Sequence, residues 1–508
     1  MTEIYSGLLL GFSVALTPVN LLFCALGVLI GTLVGIMPGL GPTATIAMLL
    51  PLTFGRSPTT ALILLAGIYY GAKYGGAITS ILVNLPGESS SVMTCLDGHQ
   101  LARQGKGGKA IGIAAIGGFV GGTFSVIGLT LLAPPLAAFA LSFGPPEYFA
   151  LVLMGLTAVA FLAGKSMVKA LMMGVFGLVL AMVGNDAIAG TNRFVYGQIE
   201  LLSGIDFPVV GIGMFAVGEI LLNLEEAMRV EIFARPGKLK DVLPTWQELR
   251  SLIPTCSRAT VLGFFIGVLP GAGATIASFL SYAMERGLSK HPEQFGKGAL
   301  EGVAGPETAD NAATGGALVP LFTLGIPGSG TTAMLLVALM MVGLRPGPLL
   351  MKEHPDLVWG IIASMYVGNV LLLILNLPLA PLLAQALRLP YTYLYCAVFG
   401  VCLAGVYSLD NSMFDVWTAV IFGAVGYLAK KLELPAAPAV LALVLGPMVE
   451  RALRQSLVMS RGDLSIFVTR PIAAVLLAIC LVLFVVPMVR AVRGWNADRR
   501  QGKEVTAA

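Results

Sequence analysis

Long apolar runs separated by short polar turns cover almost the whole chain. Residues 110–132, 146–163, 168–184, 206–224, 357–377, 391–408 and 416–429 are each predominantly apolar, and roughly 17 to 25 such residues cross the hydrocarbon of a bilayer as a helix. The pattern predicts helices inside a membrane. Two stretches break it. In "GTLVGIMPGLGPT" (31–43) and "GFFIGVLPGAGAT" (263–275) an apolar run is interrupted by proline and glycine, which stop a helix by removing an N–H or by freeing the backbone. Gly31, Gly35, Pro38, Gly39, Gly41 and Thr43 recur as Gly263, Gly267, Pro270, Gly271, Gly273 and Thr275, at a constant offset of 232.

The repetition extends further. "YGGAITSILVNLPGESSS" from Tyr74 aligns with "TGGALVPLFTLGIPGSGTT" from Thr314 with one inserted residue, pairing Pro86-Gly87 with Pro327-Gly328. "PLAAFAL" at 135–141 answers "PLLAQAL" at 381–387. Three matches in the same order indicate duplicated halves, a recurring transporter architecture. The expected organisation is a first membrane repeat over 1–224, a cytoplasmic amphipathic connector over 225–256, a second membrane repeat over 257–490 and a basic cytoplasmic tail over 491–508.

Lysine and arginine mark the cytoplasmic loops of membrane proteins. In the first half they follow the LPGE element, in "HQLARQGKGGK" with Arg103, Lys106 and Lys109; in the second they flank the PGAG element, from Arg229 to Arg258 and again at Arg286, Lys290 and Lys297. Equivalent elements then enter the membrane from opposite sides, and the repeats are inverted. Counting crossings onward keeps Lys165, Lys169, Lys430, Lys431 and the tail inside. One stretch resists: 451–470 holds Arg451, Arg454, Arg461 and Arg470 and falls outside on this count.

Composition agrees with the pattern. Of 508 residues 56% are hydrophobic and 11% charged, against about 25% charged in soluble domains. The net charge of +4 is spread over short loops, which argues against nucleic-acid binding. "MTEIYSGLLLGF" has no basic n-region, so no removable signal peptide is expected. Cys24, Cys95, Cys256, Cys396, Cys402 and Cys480 have no paired spacing, and His99, His291 and His354 read as loop residues; neither set makes a metal centre or disulfide framework. "GIPGSGTT" lacks the lysine and spacing of a phosphate-binding loop, and no Ser/His/Asp order is credible, so an enzyme or an ATP-driven pump is not expected. The fold class is an all-α polytopic membrane protein of about 10–12 membrane segments, in two inverted repeats with re-entrant or broken helices.

The breaks carry the chemistry. About 13 residues, Ser257 to Leu269, precede PGAG and a similar number follow, each covering only about 20 Å of a core near 30 Å thick. Basic residues at both ends favour a re-entrant hairpin for this copy. Backbone freed by Pro38 or Pro270 cannot face lipid. A half-helix that starts at the break offers N–H groups and a positive dipole end to an anion, and one that ends there offers carbonyls to a cation. Candidate substrate-binding residues are Gly39, Gly41, Thr43, Gly87, Ser89, Gly271, Gly273, Thr275, Gly328 and Ser329. Gly31, Gly35, Gly263 and Gly267 serve either this site or close helix packing. Ionisable and amide groups near the breaks, Asn84, Glu307, Asp310 and Asn311, are candidates for ion coupling. For Glu307 the alternative is a helix-start carboxylate at the membrane surface. Lys73 is either part of the site or an interfacial lysine that snorkels to water. A channel using the breaks as a filter, and a non-transporting membrane scaffold or sensor, remain open on these features.

"GTLVGIMPGLGPT", "YGGAITSILVNLPGESSS", "GPETADNAATGGALVPLFTLGIPGS" and "RFVYGQIELLSGIDFPVVGIGMFAVGEI" together resemble TctA, the large membrane subunit of the tripartite tricarboxylate transporters, over nearly the whole chain. The family commonly has two asparagines where this chain has Asp310 and Asn311. The resemblance implies a multi-pass permease of the bacterial inner membrane, working with a TctB-like small membrane subunit and a TctC-like periplasmic solute-binding protein. It also implies import of carboxylates such as citrate by secondary active transport, with sodium as the usual coupling ion and no other cofactor.

Overall fold

A computed structural model describes residues 2–37, 41–53, 55–162, 166–186, 189–225, 242–269, 273–386, 391–482 and 484–485. Half of the expected connector, 226–241, and all of the expected tail lie outside these residues. Gly39 and Gly271 do too.

The first half comprises α1 (Thr2–Ala15), α2 (Pro18–Gly35), α3 (Pro42–Leu49), α4 (Pro58–Val83), α5 (Val92–Arg103), α6 (Gly107–Ala140), α7 (Pro145–Leu162) and α8 (Met167–Ala181). A two-residue hairpin, β1 (Gly184–Asn185) with β2 (Asn192–Arg193), then leads to α9 (Phe207–Gly211), a π-helical turn (Ile212–Val217) and α10 (Gly218–Glu225). The second half has α11 (Trp246–Val268), α12 (Gly273–Leu288), α13 (Glu301–Leu324), α14 (Gly330–Met341), α15 (Pro348–Glu353), α16 (Pro355–Ala386), α17 (Tyr391–Asp410), α18 (Met413–Lys431), α19 (Ala436–Met459) and α20 (Ile466–Thr469). Among the described residues seven helices are long and apolar enough to cross a membrane, and six shorter apolar helices accompany them. The protein is an all-α polytopic membrane protein, and large apolar side chains such as Leu22, Phe124 and Ile374 stand exposed on it, as contact with lipid requires.

Two compact units divide the chain: 1–141 with 206–429, and 142–205 with 430–508. In the second unit α19 packs on α7 and α8. There Arg454 bonds Asp186 at 3.0 Å and Glu450 at 2.7 Å, and Arg470 reaches Glu147 at 3.1 Å. Two of the four arginines that resisted the topology count thus have carboxylate partners within their own unit.

The first unit holds both breaks, and its packing repeats contact by contact. A Cβ at Gly31 would strike the carbonyl oxygen of Ile68, and one at Gly35 that of Ala72; Gly263 and Gly267 meet Ala309 and Ala313 in the same way. These four glycines therefore serve close packing of α2 on α4 and of α11 on α13. The contacts also correct the sequence alignment by one residue. Gly75 abuts Thr32 as Gly316 abuts Phe264, so the offset is already 241 where the aligned strings gave 240. The inserted residue lies earlier than "YGGA".

Three further details differ from the sequence reading. The helix before PGAG starts at Trp246, within the expected connector, and runs 23 residues because Thr245 and Glu248 form a capping box at its start. His99 lies on α5, buried at 7% exposure, with Nδ1 3.2 Å from the carbonyl oxygen of Ile81. The basic "HQLARQGKGGK" segment is mostly helical, leaving a turn of only three residues between α5 and α6.

Candidate functional site

Each half holds a helix break, and the helix that follows each proline–glycine motif reaches the break of the other half. The tip of the first half leads into α3, where Thr43 Oγ1 lies 2.8 Å from Thr331 Oγ1 at the start of α14. The tip of the second half leads into α12, where Thr275 Oγ1 lies 2.8 Å from Ser89 Oγ in the break after α4. Within each half, a Cβ on Gly41 would come 3.7 Å from Glu88 Cβ, and one on Gly273 would come 3.8 Å from Ser329 Cβ. Glu88 and Ser329 are equivalent positions at the offset of 241.

The second tip is a hairpin. Arg258 on α11 and Glu285 on α12 meet through two nitrogens at 2.9 and 2.5 Å, and Thr255 adds a bond of 2.8 Å to the same carboxylate. The two residues stand nearly equidistant from PGAG, so the legs lie side by side. Glu285 is 2% exposed, and a carboxylate so buried requires that partner.

Both breaks share one construction. Helix α4 ends at Asn84 and α13 at Gly325, each a left-handed C-cap with φ of 60° and 72°. The chain then turns back along the helix it has left. Gly87 faces Gly76 so closely that a Cβ would overlap its Cα, and Gly328 meets Ala317 Cα at 3.1 Å. Each next helix opens with a capping box, Glu88 with Ser91 and Ser329 with Thr332. Gly87 and Gly328 are therefore fold-back glycines. Asn84, exposed at its cap, does not join the other ion-coupling candidates.

A buried charged group lies behind the first break. Lys73 on α4 is 3% exposed and Asp310 on α13 is 2% exposed. The Lys73 ammonium stands 2.6 Å from Glu88 Oε1, 2.9 Å from Asp310 Oδ1 and 3.2 Å from Ser90 Oγ; Ser90 in turn donates to Glu88 at 2.7 Å. Glu307, one turn before Asp310 and on the same face, accepts a bond from Thr94 Oγ1 at 2.5 Å. Neither the snorkelling reading of Lys73 nor the membrane-surface reading of Glu307 survives, because both side chains are buried inside the bundle. Asn311 points elsewhere: it packs on Gly118 and lines a cavity of ≈ 10 Å³ with Tyr74 and Asn369. Among the described residues no cluster of three His, Cys, Asp or Glu side chains is arranged to hold a metal ion.

The second break is neutral where the first is charged. Thr314 occupies the position equivalent to Lys73, Ser329 that of Glu88 and Tyr69 that of Asp310. Tyr69, 2% exposed, interacts with the side chains of Ser329 and Thr314. The sequence leaves Lys73 between the site and the interface, and it does not assign Glu88, Ser90, Thr94 or Tyr69 to the site. For Lys73 the available signal was its place inside an apolar run; for the others only their neighbours in space mark them.

A knot ties the charged group to the rest of the unit. Asp97 on α5, 0% exposed, accepts three backbone bonds of 2.8 Å from Gly296, Gly298 and Ala299, and one of 2.9 Å from the Tyr282 hydroxyl. Contacts between α5 and α13 run in opposite order, Thr94 to Glu307 and Asp97 beside Gly302, so the two helices are antiparallel.

The sequence model for the family described as "Tripartite tricarboxylate transporter TctA family" matches residues 21–441. A protein of Agrobacterium vitis, described as an uncharacterized 52.8 kDa protein in the TAR-I ttuC' 3' region, is 49% identical over 97% of this chain and 98% of its own length. A second protein of that organism, described as uncharacterized and in the TAR-II ttuC' 3' region, is 46% identical over 46% of this chain and 97% of its own. No solved structure matches the chain.

Proposed function

The chain belongs to the tripartite tricarboxylate transporter TctA family, and from that premise we propose that it is the large permease subunit of a binding-protein-dependent secondary active transporter. It imports tricarboxylates or related organic carboxylates across the bacterial inner membrane, driven by a sodium or proton gradient. A TctB-like small membrane subunit and a TctC-like periplasmic solute-binding protein complete the system.

The observation that carries the reading is the crossed placement of the tips, Thr43 against Thr331 and Ser89 against Thr275. Hydroxyl groups and the first turns of α3, α12 and α14 gather there, and helix starts of this kind favour carboxylate groups. Gly41 and Gly273 leave the backbone open to such a ligand, and Gly39 and Gly271 remain part of the proposed substrate site. The buried carboxylates of Glu307 and Asp310 supply the coupling charge. Inversion of the repeats is part of the proposal. It is supported by the antiparallel run of α5 and α13 and by the meeting of basic loops, where Gln104 donates to the Lys297 carbonyl at 2.9 Å and Lys109 pairs with Glu248 at 2.7 Å.

The test is uptake of labelled citrate and other carboxylates into vesicles holding this chain, its small partner and the cognate binding protein. Concentrative uptake that stops when the sodium and proton gradients are collapsed is expected. Uptake that only equilibrates, whatever the gradient, would point to a channel; uptake by cells lacking this chain would point to a scaffold.

A further inference from the structure

The Lys73 ammonium has three N–H donors and three oxygen partners, Glu88 Oε1, Asp310 Oδ1 and Ser90 Oγ. Two carboxylates and a hydroxyl converging on one point form the kind of shell a monovalent cation needs. Here that shell is already filled by a charge fixed to the chain. A second cation at this point would lie beside the ammonium, away from water, where like charges repel strongly. The equivalent position in the other half carries no charge, since Thr314, Ser329 and Tyr69 replace Lys73, Glu88 and Asp310.

Building on the transport reading above, we propose that Lys73 is a tethered cation in the cation position of the first break. The charge exchanged there is a proton carried by Asp310, so uptake follows a proton gradient and needs no sodium. The titratable groups in contact with the ammonium are Glu88 from the break and Asp310 from α13, and the Tyr69 ring centroid on α4 itself is 6.0 Å away; Glu307, one turn from Asp310, is hydrogen-bonded to Thr94. Two carboxylates contact one ammonium and a third lies a helical turn behind, an excess of negative charge when all are ionised. Asp310 Oδ2 is buried and has no hydrogen-bond partner. A proton from external water bonds to that oxygen and cancels one negative charge; it returns to water on the cytoplasmic side, while Lys73 keeps its own protons. One H⁺ moves and no other bond changes.

Two readouts test this separately. The purified full-length chain is first titrated with radioactive sodium. Wild type is expected to bind none saturably, whereas Lys73→Ala and Lys73→Gln, which keep the oxygen shell and lose the ammonium, gain saturable binding. Uptake of labelled carboxylate by the three-component vesicles is then measured with sodium replaced by choline. It is expected to persist unchanged, and to fall at least tenfold when the pH gradient is collapsed. Asp310→Asn loses that response to the pH gradient. Saturable sodium binding by wild type, loss of uptake on removing sodium, or folded Lys73 variants that still bind no sodium would each overturn the proposal. Absence of carboxylate uptake under either gradient would instead sink the transport reading, and the sodium titration would still decide the role of Lys73.

Discussion

Asp97 shows how much one buried side chain can organise in this fold. Removing its carboxylate in Asp97→Ala frees three backbone N–H groups and the Tyr282 hydroxyl; those of Ala299 and Tyr282 are buried, and buried donors left unpaired cost about 1–3 kcal/mol each. The expected loss is several kcal/mol, read as a large drop in the thermal unfolding midpoint in detergent. Asp97→Asn keeps an acceptor for the three amides and is expected to lose only about 1 kcal/mol; equal losses in the two variants would remove the acceptor argument. The equivalent tip glycines give a second comparison. Gly41 has φ −71° while Gly273 has φ +56°, and both leave room for a methyl group. Gly41→Ala should be close to neutral, whereas Gly273→Ala should cost about 1–2 kcal/mol from the left-handed backbone. Matching unfolding midpoints for the two variants would contradict that assignment.

At the scale of elements, the crossed contacts offer a direct handle. Thr43 and Thr331 place their hydroxyl oxygens 2.8 Å apart, a separation that lets two cysteines at these positions form a disulfide with little backbone movement. The double variant Thr43→Cys/Thr331→Cys should cross-link under mild oxidant, lose transport, and recover it with a thiol reductant; full transport in the cross-linked state would mean that tip and break need not separate. The broken helices themselves were legible because the physics that demands them is local. Proline with glycines on both sides of it, recurring at a constant offset, marked the tips, whereas an isolated proline such as Pro320 stays inside unbroken α13; Gly263 and Gly267 had to be glycine for α11 to approach α13 so closely. Glu307 and Asp310 were legible because ionisable side chains are rare at membrane depth. The pairing of Lys73 with Asp310 and Glu88 was not, since the Lys73–Asp310 pair joins positions 237 residues apart and no periodicity encodes it. The one-residue slip in the repeat was hidden for a related reason: Gly75-Gly76-Ala77 matches Gly315-Gly316-Ala317 residue for residue at the wrong offset of 240, and only packing, as of Gly75 on Thr32 and Gly316 on Phe264, gives 241.

The molecule as a whole joins residues from both halves at its basic turns. Lys106 closes the turn after α5, and Lys290 lies in the turn between α12 and α13; both are exposed. The neighbouring Gln104 and Lys297 are hydrogen-bonded to each other, so the two turns belong to one side of the membrane. Arg56 stands exposed just before α4. That helix is 26 residues long, about 39 Å at 1.5 Å per residue, and α5 continues in its direction, which carries Arg56 to the other side. Positive charge concentrated near Lys106 and Lys290 predicts that theirs is the cytoplasmic face. Single cysteines at these three positions, in a background with the six native cysteines replaced, should therefore react with a membrane-impermeant maleimide in a fixed pattern. Lys106→Cys and Lys290→Cys should label in inside-out vesicles and Arg56→Cys in right-side-out ones. If Lys106→Cys and Lys290→Cys label from opposite faces, the antiparallel course of α5 and α13 fails, and with it the inverted relation between the halves. If all three label from one face, α4 does not cross the membrane, and the buried charge on Lys73 loses the setting that gives it a role in coupling.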